Sequence, residues 1–578
     1  MNLKTNYEVG VIPHSEHPNP QFEREDYLIL NGLWNLKKFS ATDKELFNGE
    51  ILVPFSPETI NSGLDNFKLN TGEYLEYTRK INLTKNLLKG KTVIKFGAVD
   101  SEALVYINGN FVGKHVGGFT AFEFDITSYA ILGENYIKVV VYDEATRNSG
   151  ARGKQSDKRG GIWYTAQSGI WQTVYIESYV SAYLSDLKIS TDANLKEVKI
   201  AVKSFEKPVK IAVYDNNKVI LTNEFINEIT LNYNFTLWSP ENPKLYEFTL
   251  ESESGDKVKS YFGVISFGKA YDINGKLRLT LNGKPYFMNG VLDQGYWSDG
   301  MLTYPSDKAV VDELTMLKEM GFNMVRKHIK IEPMRWYYHC DKIGLIVWQD
   351  FVNGGGDYSF MHVAALPFLG FHHKDNDYKY FAREDERGRN EFKQLVDETV
   401  SQLYNVVSIG VWVVFNEGWG QFDSKYYTDY VKGLDNSRII DSVSGWHDQG
   451  EQNTELKSLH TYYTPLKVPN DKRAVVLSEF GGYSLKTEGH VFAEKEFGYK
   501  KFKTQTDLAL ALEKLFLVKL KPLISKGLCA SVYTQVSDVE EEINGLVTYD
   551  RKVIKVPISV MAKINNEIKL ESEKVILK

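Results

Sequence analysis

Glu417 stands at the end of the apolar run Gly410-Val-Trp-Val-Val-Phe-Asn-Glu-Gly-Trp, and Glu479 at the end of Ala474-Val-Val-Leu-Ser-Glu-Phe-Gly-Gly. An unbroken apolar run reads as a strand of a buried parallel sheet, and in a β/α barrel the active site lies where such strands end. Two carboxylates brought to one mouth can divide the work of breaking a glycosidic bond, one protonating the departing oxygen while the other attacks or activates water. Either glutamate alone reads more readily as a helix cap or an ion-pair partner than as a catalytic group. Together they point to chemistry.

The surrounding pattern supplies an architecture that can hold them. Expected strands at 285–289, 323–326, 345–349, 409–415, 439–442, 459–462, 475–478 and 530–534 alternate with expected helices at 307–320, 333–343, 386–405 and 506–526. Eight such repeats fit a (β/α)8 barrel. The competing doubly wound sheet would need a glycine-rich phosphate loop after an early strand, and the sequence has none. Upstream the chain reads as β structure only. Thr92-Val-Ile-Lys-Phe and Tyr136-Ile-Lys-Val-Val-Val-Tyr are typical runs, and Asn108-Gly109 is a strong hairpin turn. The expected organisation is a jelly-roll sandwich over 1–180, an immunoglobulin-like sandwich over 181–270 and the barrel over 271–578. No Pro/Gly/Ser-rich linker intervenes, so the domains should pack directly against one another.

Bulk properties narrow the function classes. A net charge of −6 on 578 residues argues against a nucleic-acid surface. Two cysteines, Cys340 and Cys529, exclude a disulfide framework and a zinc cluster. The chain shows no secretory leader and no membrane-spanning run, so a cytoplasmic enzyme is expected, with no membrane partner. Homo-oligomerisation is compatible with the sequence.

Further motifs are recognisable in order along the chain. Leu30-Asn-Gly-Leu-Trp-Asn, Phe96-Gly-Ala-Val-Asp-Ser, Gly117-Gly-Phe-Thr and Ser168-Gly-Ile-Trp-Gln-Thr-Val resemble the N-terminal sugar-binding-type domain of glycoside hydrolase family 2. Trp238-Ser-Pro-Glu-Asn-Pro-Lys-Leu-Tyr is similar to that family's immunoglobulin-like domain. Leu281-Asn-Gly-Lys-Pro, Gly321-Phe-Asn-Met-Val-Arg-Lys-His, Phe415-Asn-Glu and Ser478-Glu-Phe-Gly-Gly resemble its catalytic barrel. The resemblance implies that Glu417, on the fourth strand, is the general acid/base and Glu479, on the seventh, the nucleophile. On that reading the acid should have a raised pKa, from burial and the nearby anion.

Arg326 is the expected partner of the ionised nucleophile, with a loop-bridging role as its alternative. Asn416 is expected to donate to the sugar 2-hydroxyl, a helix cap being its alternative. Tyr462 and Tyr463 compete to hydrogen-bond the nucleophile. A ring of polar and aromatic groups at other strand ends should supply contacts to the sugar: Asp293 with Gln294, His328, Trp348, Asp350, Trp446, His447, His460, Gln535 and Asp538. The histidines lack the spacing of a metal-ligand motif, so neither metal nor cofactor is expected. The glycine-rich basic segment 150–163 reads either as a solvated loop or, by the resemblance, as one that reaches the barrel mouth and narrows it to an exo-acting shape.

Two departures bear on the sugar. Glucuronidases of this family bind the substrate carboxylate through an Asn-x-Lys motif, where this chain has Glu542 and Asn544. An anionic sugar buried without a cation would be costly, although Lys327 or Arg551 could substitute. Many relatives end the eighth strand with tryptophan, where this chain reads Tyr533-Thr-Gln. The expected function is a retaining exo-β-glycosidase of neutral β-sugars, with β-galactosidase as the first candidate. The alternatives are a β-glucuronidase or a non-catalytic carbohydrate-binding protein.

Overall fold

The computed structural model describes residues 3–64, 66–144, 150–180, 182–450 and 454–576. Its first part is a sandwich of a six-stranded and a four-stranded antiparallel sheet. Alternation sets the faces: along Gly32–Phe39, Trp34 and Leu36 are buried while Leu33, just before them, is exposed. Trp34, Tyr77, Ile94, Phe96, Val105 and Val139 lie in the core between the sheets. Asn108 and Gly109 form the two-residue turn joining Glu102–Ile107 to Asn110–Val116, both with the positive φ such a turn requires. A second sandwich follows, with sheets of three and four strands around Val198, Ile211, Val213, Phe248 and Leu250.

Eight parallel strands form the barrel: β1 (Met288–Asp293), β2 (Met324–Lys327), β3 (Ile346–Asp350), β4 (Ile409–Asn416), β5 (Ile439–Ser444), β6 (Leu456–Thr461), β7 (Ala474–Gly481) and β8 (Leu528–Thr534). Their order in the sheet is β5-β4-β3-β2-β1-β8-β7-β6. The backbone ladder is open between β5 and β6. Side chains cross that seam instead, Ser458 donating to Asp441 and Ser444 Oγ meeting His460 Nε2 at 2.9 Å.

Three sequence expectations shift. The run expected at 285–289 begins too early, because Lys284–Pro285 pairs antiparallel with Leu277–Leu281 before β1 starts at Met288. The helix expected at 506–526 is broken into Gln505–Glu513, a wide π turn at Lys514–Leu520, and Lys521–Ile524. Pro522 has no N–H to donate to the preceding turn, and the helix widens just before it. Between β5 and β7 no helix occurs among the described residues. Repeats without their helices are shorter, which is how β5 to β7 fit into so few residues.

The domains pack directly. Trp238 and Tyr261 of the second sandwich lie among residues of the barrel interior, and both hydrogen-bond Asp341, at 2.8 Å to its carbonyl and 2.9 Å to its carboxylate. Cys340 and Cys529 are both free and buried. No described helix is long and apolar enough to cross a membrane.

Candidate active site

The site is built around Arg326. Along β2 and β3 alternate side chains project into the barrel: Met324 then Arg326, and Ile346, Trp348 then Asp350. The register sets Arg326 opposite Trp348, so Asp350 stands one step higher and accepts Nε and NH2 of the guanidinium, both at 2.9 Å. The remaining donors reach Asn416 Oδ1 (2.9 Å), the Ser478 carbonyl (3.0 Å) and Glu479 Oε1 (3.2 Å). All five N–H groups are thus spent on three other strands, β3, β4 and β7, which Arg326 ties to its own strand β2. The fork is fully buried, and a lysine could not make this set of contacts.

Glu417 and Glu479 face each other across His460. The imidazole Nδ1 lies 2.6 Å from Glu417 Oε1 and Nε2 lies 3.7 Å from Glu479 Oε1. One carboxylate oxygen of each glutamate and a His460 nitrogen lie within 4.8 Å of one another, the one such trio able to hold a metal ion among the described residues. A cation there would occupy the same oxygens that carboxylate chemistry requires. Backbone explains the meeting. His460 and Glu479 are register partners across β6 and β7, and Glu417 donates its N–H to Ser444 of β5 at 2.8 Å. Glu417 adopts a left-handed φ of 52°, which is strained for a residue with a Cβ and is concentrated at functional sites. Of the competing tyrosines, Tyr462 donates to Glu479 Oε2 and stacks on Tyr499 at 3.8 Å, while Tyr463 is largely exposed.

The electrostatics depart from the expected raised acid. Burial alone would raise the Glu417 carboxyl, but the charge and hydrogen bond of His460, then Lys154, outweigh it and bring it down to about 2. For Glu479 burial and the Glu417 charge raise the pKa, while His460 and Arg326 pull it to a net lowering. The reason is geometric: the histidine 2.6 Å away outweighs the desolvation that would raise a solitary buried acid.

His328 and Asp350 join this network through a 2.8 Å hydrogen bond, and burial holds His328 below its ordinary value. Asn416 keeps its Nδ2 buried and without a partner. Other sequence-predicted residues fall elsewhere. Trp348 fills the barrel interior beneath Asp350, donating toward Met288 Sδ, because it points to the same face two residues earlier. Asp293 is consumed by Lys327 (2.5 Å) and the Gly295 N–H (2.7 Å). His447 has one nitrogen at the Val363 carbonyl and the other accepting from His373 N, and burial lowers its pKa to about 4. Asp538 pairs with Lys555 at 2.6 Å, and burial still pushes its carboxyl up to about 6. Gln535 bridges Gln294 (2.9 Å) and Asn544 (2.8 Å), and Asn544 in turn donates to Glu542. Trp446 packs against the rim cluster that contains Trp419.

The loop 150–163 docks on the mouth. Ala151 pairs with Gly354, and Arg152 and Gly153 both donate to the Asn353 carbonyl. The Arg152 guanidinium also donates to the carbonyls of Gly355 and Gly356. Just beyond the loop, Tyr164 donates to Glu542 at 2.5 Å. Its tryptophan, Trp163, stands edge-on to Trp419 at 5.2 Å, and Trp419 Nε1 reaches Glu417 Oε2 at 3.3 Å. Of the two readings of the segment, the one implied by the resemblance, a loop that reaches the barrel mouth, is the one the structure has. The sequence did not single out Lys154 and Trp163 as the residues that join a site formed by another domain.

The chain is similar to known proteins over most of its length. The description "Glycosyl hydrolases family 2, sugar binding domain" matches residues 55–176, "Glycosyl hydrolases family 2" matches 172–264, and "Glycosyl hydrolases family 2, TIM barrel domain" matches 273–505. A β-galactosidase of Priestia megaterium is 24% identical over 82% of this chain and 46% of its own length. One from Lactococcus lactis is 27% identical over 73% of this chain and 40% of its own. The chain therefore spans less than half the length of these relatives. The solved β-D-glucuronidase of Dictyoglomus thermophilum superposes with a TM-score of 0.74 at 17% identity, covering 95% of this chain and 98% of that one, a likeness of fold. With three successive matches to one family in the order of its domains, on two sandwiches and a barrel, the chain belongs to glycoside hydrolase family 2.

Proposed function

We propose that this family 2 β-glycosidase is a retaining exo-enzyme acting on a neutral terminal sugar, with Glu479 as nucleophile and Glu417 as general acid/base. A β-galactoside is the first candidate substrate. The observation that carries the reading is the separation of under 4.8 Å between an oxygen of each carboxylate. Retaining sites hold their carboxyl groups roughly 5–5.5 Å apart, whereas inverting sites need about 6.5–9.5 Å to admit a water.

Glu479, kept ionised, attacks the anomeric carbon as the bond to the leaving oxygen breaks, and Glu417 delivers a proton to that oxygen. Water then attacks the same carbon, Glu417 takes its proton, and the carbon–Glu479 bond breaks. The Glu417–His460 pair holds the required proton. The proton reaches the leaving oxygen through Glu417, whose carboxylate is hydrogen-bonded to His460 Nδ1. Asn416, its amide N–H unpartnered, is the donor for the sugar 2-hydroxyl.

Neutral glycone is favoured because both substitute cations are occupied. Lys327 is paired with Asp293 and Glu332, and Arg551 with Glu313. Similarity to named β-galactosidases supports a galactoside. The runner-up, a β-glucuronidase, would have to bind its substrate carboxylate through Lys154, which makes no ion pair among the described residues. A panel of nitrophenyl β-glycosides, with the product anomer read by proton NMR, tests the proposal. A β-anomer released first from a neutral glycoside is expected. An α-anomer released first, or turnover of the glucuronide alone, overturns it.

A further inference from the structure

Lys154 is a cation that the mechanism does not use. It is 6% exposed, although lysine is among the residues least often buried without a partner. It makes no ion pair within 4.0 Å and no side-chain hydrogen bond; its nearest ring contact is Trp163, 5.7 Å from the ammonium. The chain on either side fixes where it sits. Gly153 packs so closely on the segments after β2 and β3 that a Cβ there would lie 3.0 Å from the Ile329 carbonyl and 3.6 Å from Val352. The Lys154 carbonyl accepts from Tyr164 N, and Tyr164 is the residue that holds Glu542. Lys154 therefore lies between His328, immediately before Ile329, and Glu542. Its charge acts on both, and on Glu417, while touching none of them.

An ammonium on a nearly buried side chain, with no acceptor in contact, has hydrogen bonds to offer a ligand that enters beside it. Charge decides which acceptor. Glu417, Glu479, Asp350 and Glu542 surround the site, against Arg326, whose donors are all spent, and Lys154. A carboxylate on the sugar would add a further anion beside Glu542. A hydroxyl adds none. It accepts from Lys154 through its oxygen and donates its proton elsewhere, and each Glu542 oxygen, though bonded to Tyr164 or Asn544, keeps a lone pair for a sugar hydroxyl.

We propose that Lys154, carried in from the first sandwich, and Glu542, on the loop after β8, form a donor–acceptor clamp that selects a neutral glycone by its ring hydroxyls. This rests on the glycosidase reading above. The clamp spans two domains and is absent from either alone.

The test is a substrate cycle on the full-length chain. kcat/KM is measured for wild type, Lys154→Met, Lys154→Gln and Glu542→Gln, on the preferred nitrophenyl glycoside, its monodeoxy analogues and the matching uronide. A hydrogen bond to a charged group predicts a loss of about 10- to 150-fold for Lys154→Met on the parent sugar. The loss should shrink below about threefold on the one analogue that lacks the recognised hydroxyl, and Lys154→Gln should recover part of it. Equal losses on every analogue would mean that Lys154 only braces its loop, and would overturn the clamp while leaving the glycosidase reading intact. Uronide turnover that exceeds the neutral rate and disappears in Lys154→Met would overturn it in favour of carboxylate binding. Wild-type protein inert on the entire panel would sink the two-glutamate reading, and the clamp with it.

Discussion

At the scale of single residues, the two glutamates differ in what surrounds them more than in their own chemistry. Glu479 is gripped by Arg326 and Tyr462, whereas Glu417 is hydrogen-bonded to His460. Removing each should therefore fail differently. Glu479→Ala is expected to lower kcat by at least about 10⁴-fold on all substrates, with azide restoring turnover to an α-product. Glu417→Ala should cost about 10²- to 10⁴-fold on poor leaving groups and far less on dinitrophenyl glycosides, which need no proton. Comparable losses on both leaving groups would remove its acid role. His460→Gln takes away the strongest influence that depresses Glu417, and only the weaker effects of Lys154 and His328 then oppose burial. The Glu417 titration should move from about 2 to above its ordinary 4.5, followed by carbon-13 NMR of labelled glutamate. A midpoint that stays low would mean that Lys154, not His460, sets it.

At the scale of elements, what matters is which segments reach the mouth. Alternation along each barrel strand was legible in the sequence, and so were the strand ends that carry Glu417, Glu479, Arg326 and Asn416. Depth was not. Trp348 and Asp350 share a face, yet one is barrel filling and the other grips Arg326, because two residues along a strand move a side chain by a full layer. The mouth is completed by the 150–163 loop, and Gly153 is the point at which that loop can be tested. Its φ of 60° and its approach to Ile329 leave no room for a side chain. Gly153→Val should lift the loop, lowering kcat/KM by about tenfold or more while the melting temperature falls by only a few degrees. A large fall in melting temperature with activity retained below it would show that the loop braces the fold rather than the site.

At the scale of the whole molecule, the sandwiches are held by buried charge as well as by apolar cores. Glu177 is 1% exposed and faces Lys95, His17 and Arg24. Burial raises its carboxyl, but Lys95 first and then His17 and Arg24 outweigh this and set it at about 2, against an ordinary 4.5. A depressed folded value means that its contribution, about 3 kcal/mol, is complete above pH 4.5 and is lost as pH falls toward 2. Urea unfolding across that window should show the decline, and Glu177→Gln should flatten it while weakening the protein at neutral pH by about 3–5 kcal/mol. An unchanged acid slope in the variant would assign the decline to other carboxylates.

By itself the sequence determined the β-then-β/α order, the hydrophobic periodicities behind it and the strand-end positions of the two glutamates, since these depend on local spacing alone. Tertiary structure decided which polar groups at those ends converge. It set His460 between the carboxylates, turned Asp293, His447 and Asp538 into internal ties, and brought Lys154 from the first sandwich to Glu542 beyond β8. Those outcomes depend on register, layer depth and the docking of one domain on another, and residues hundreds of positions apart carry no local signal of such a meeting.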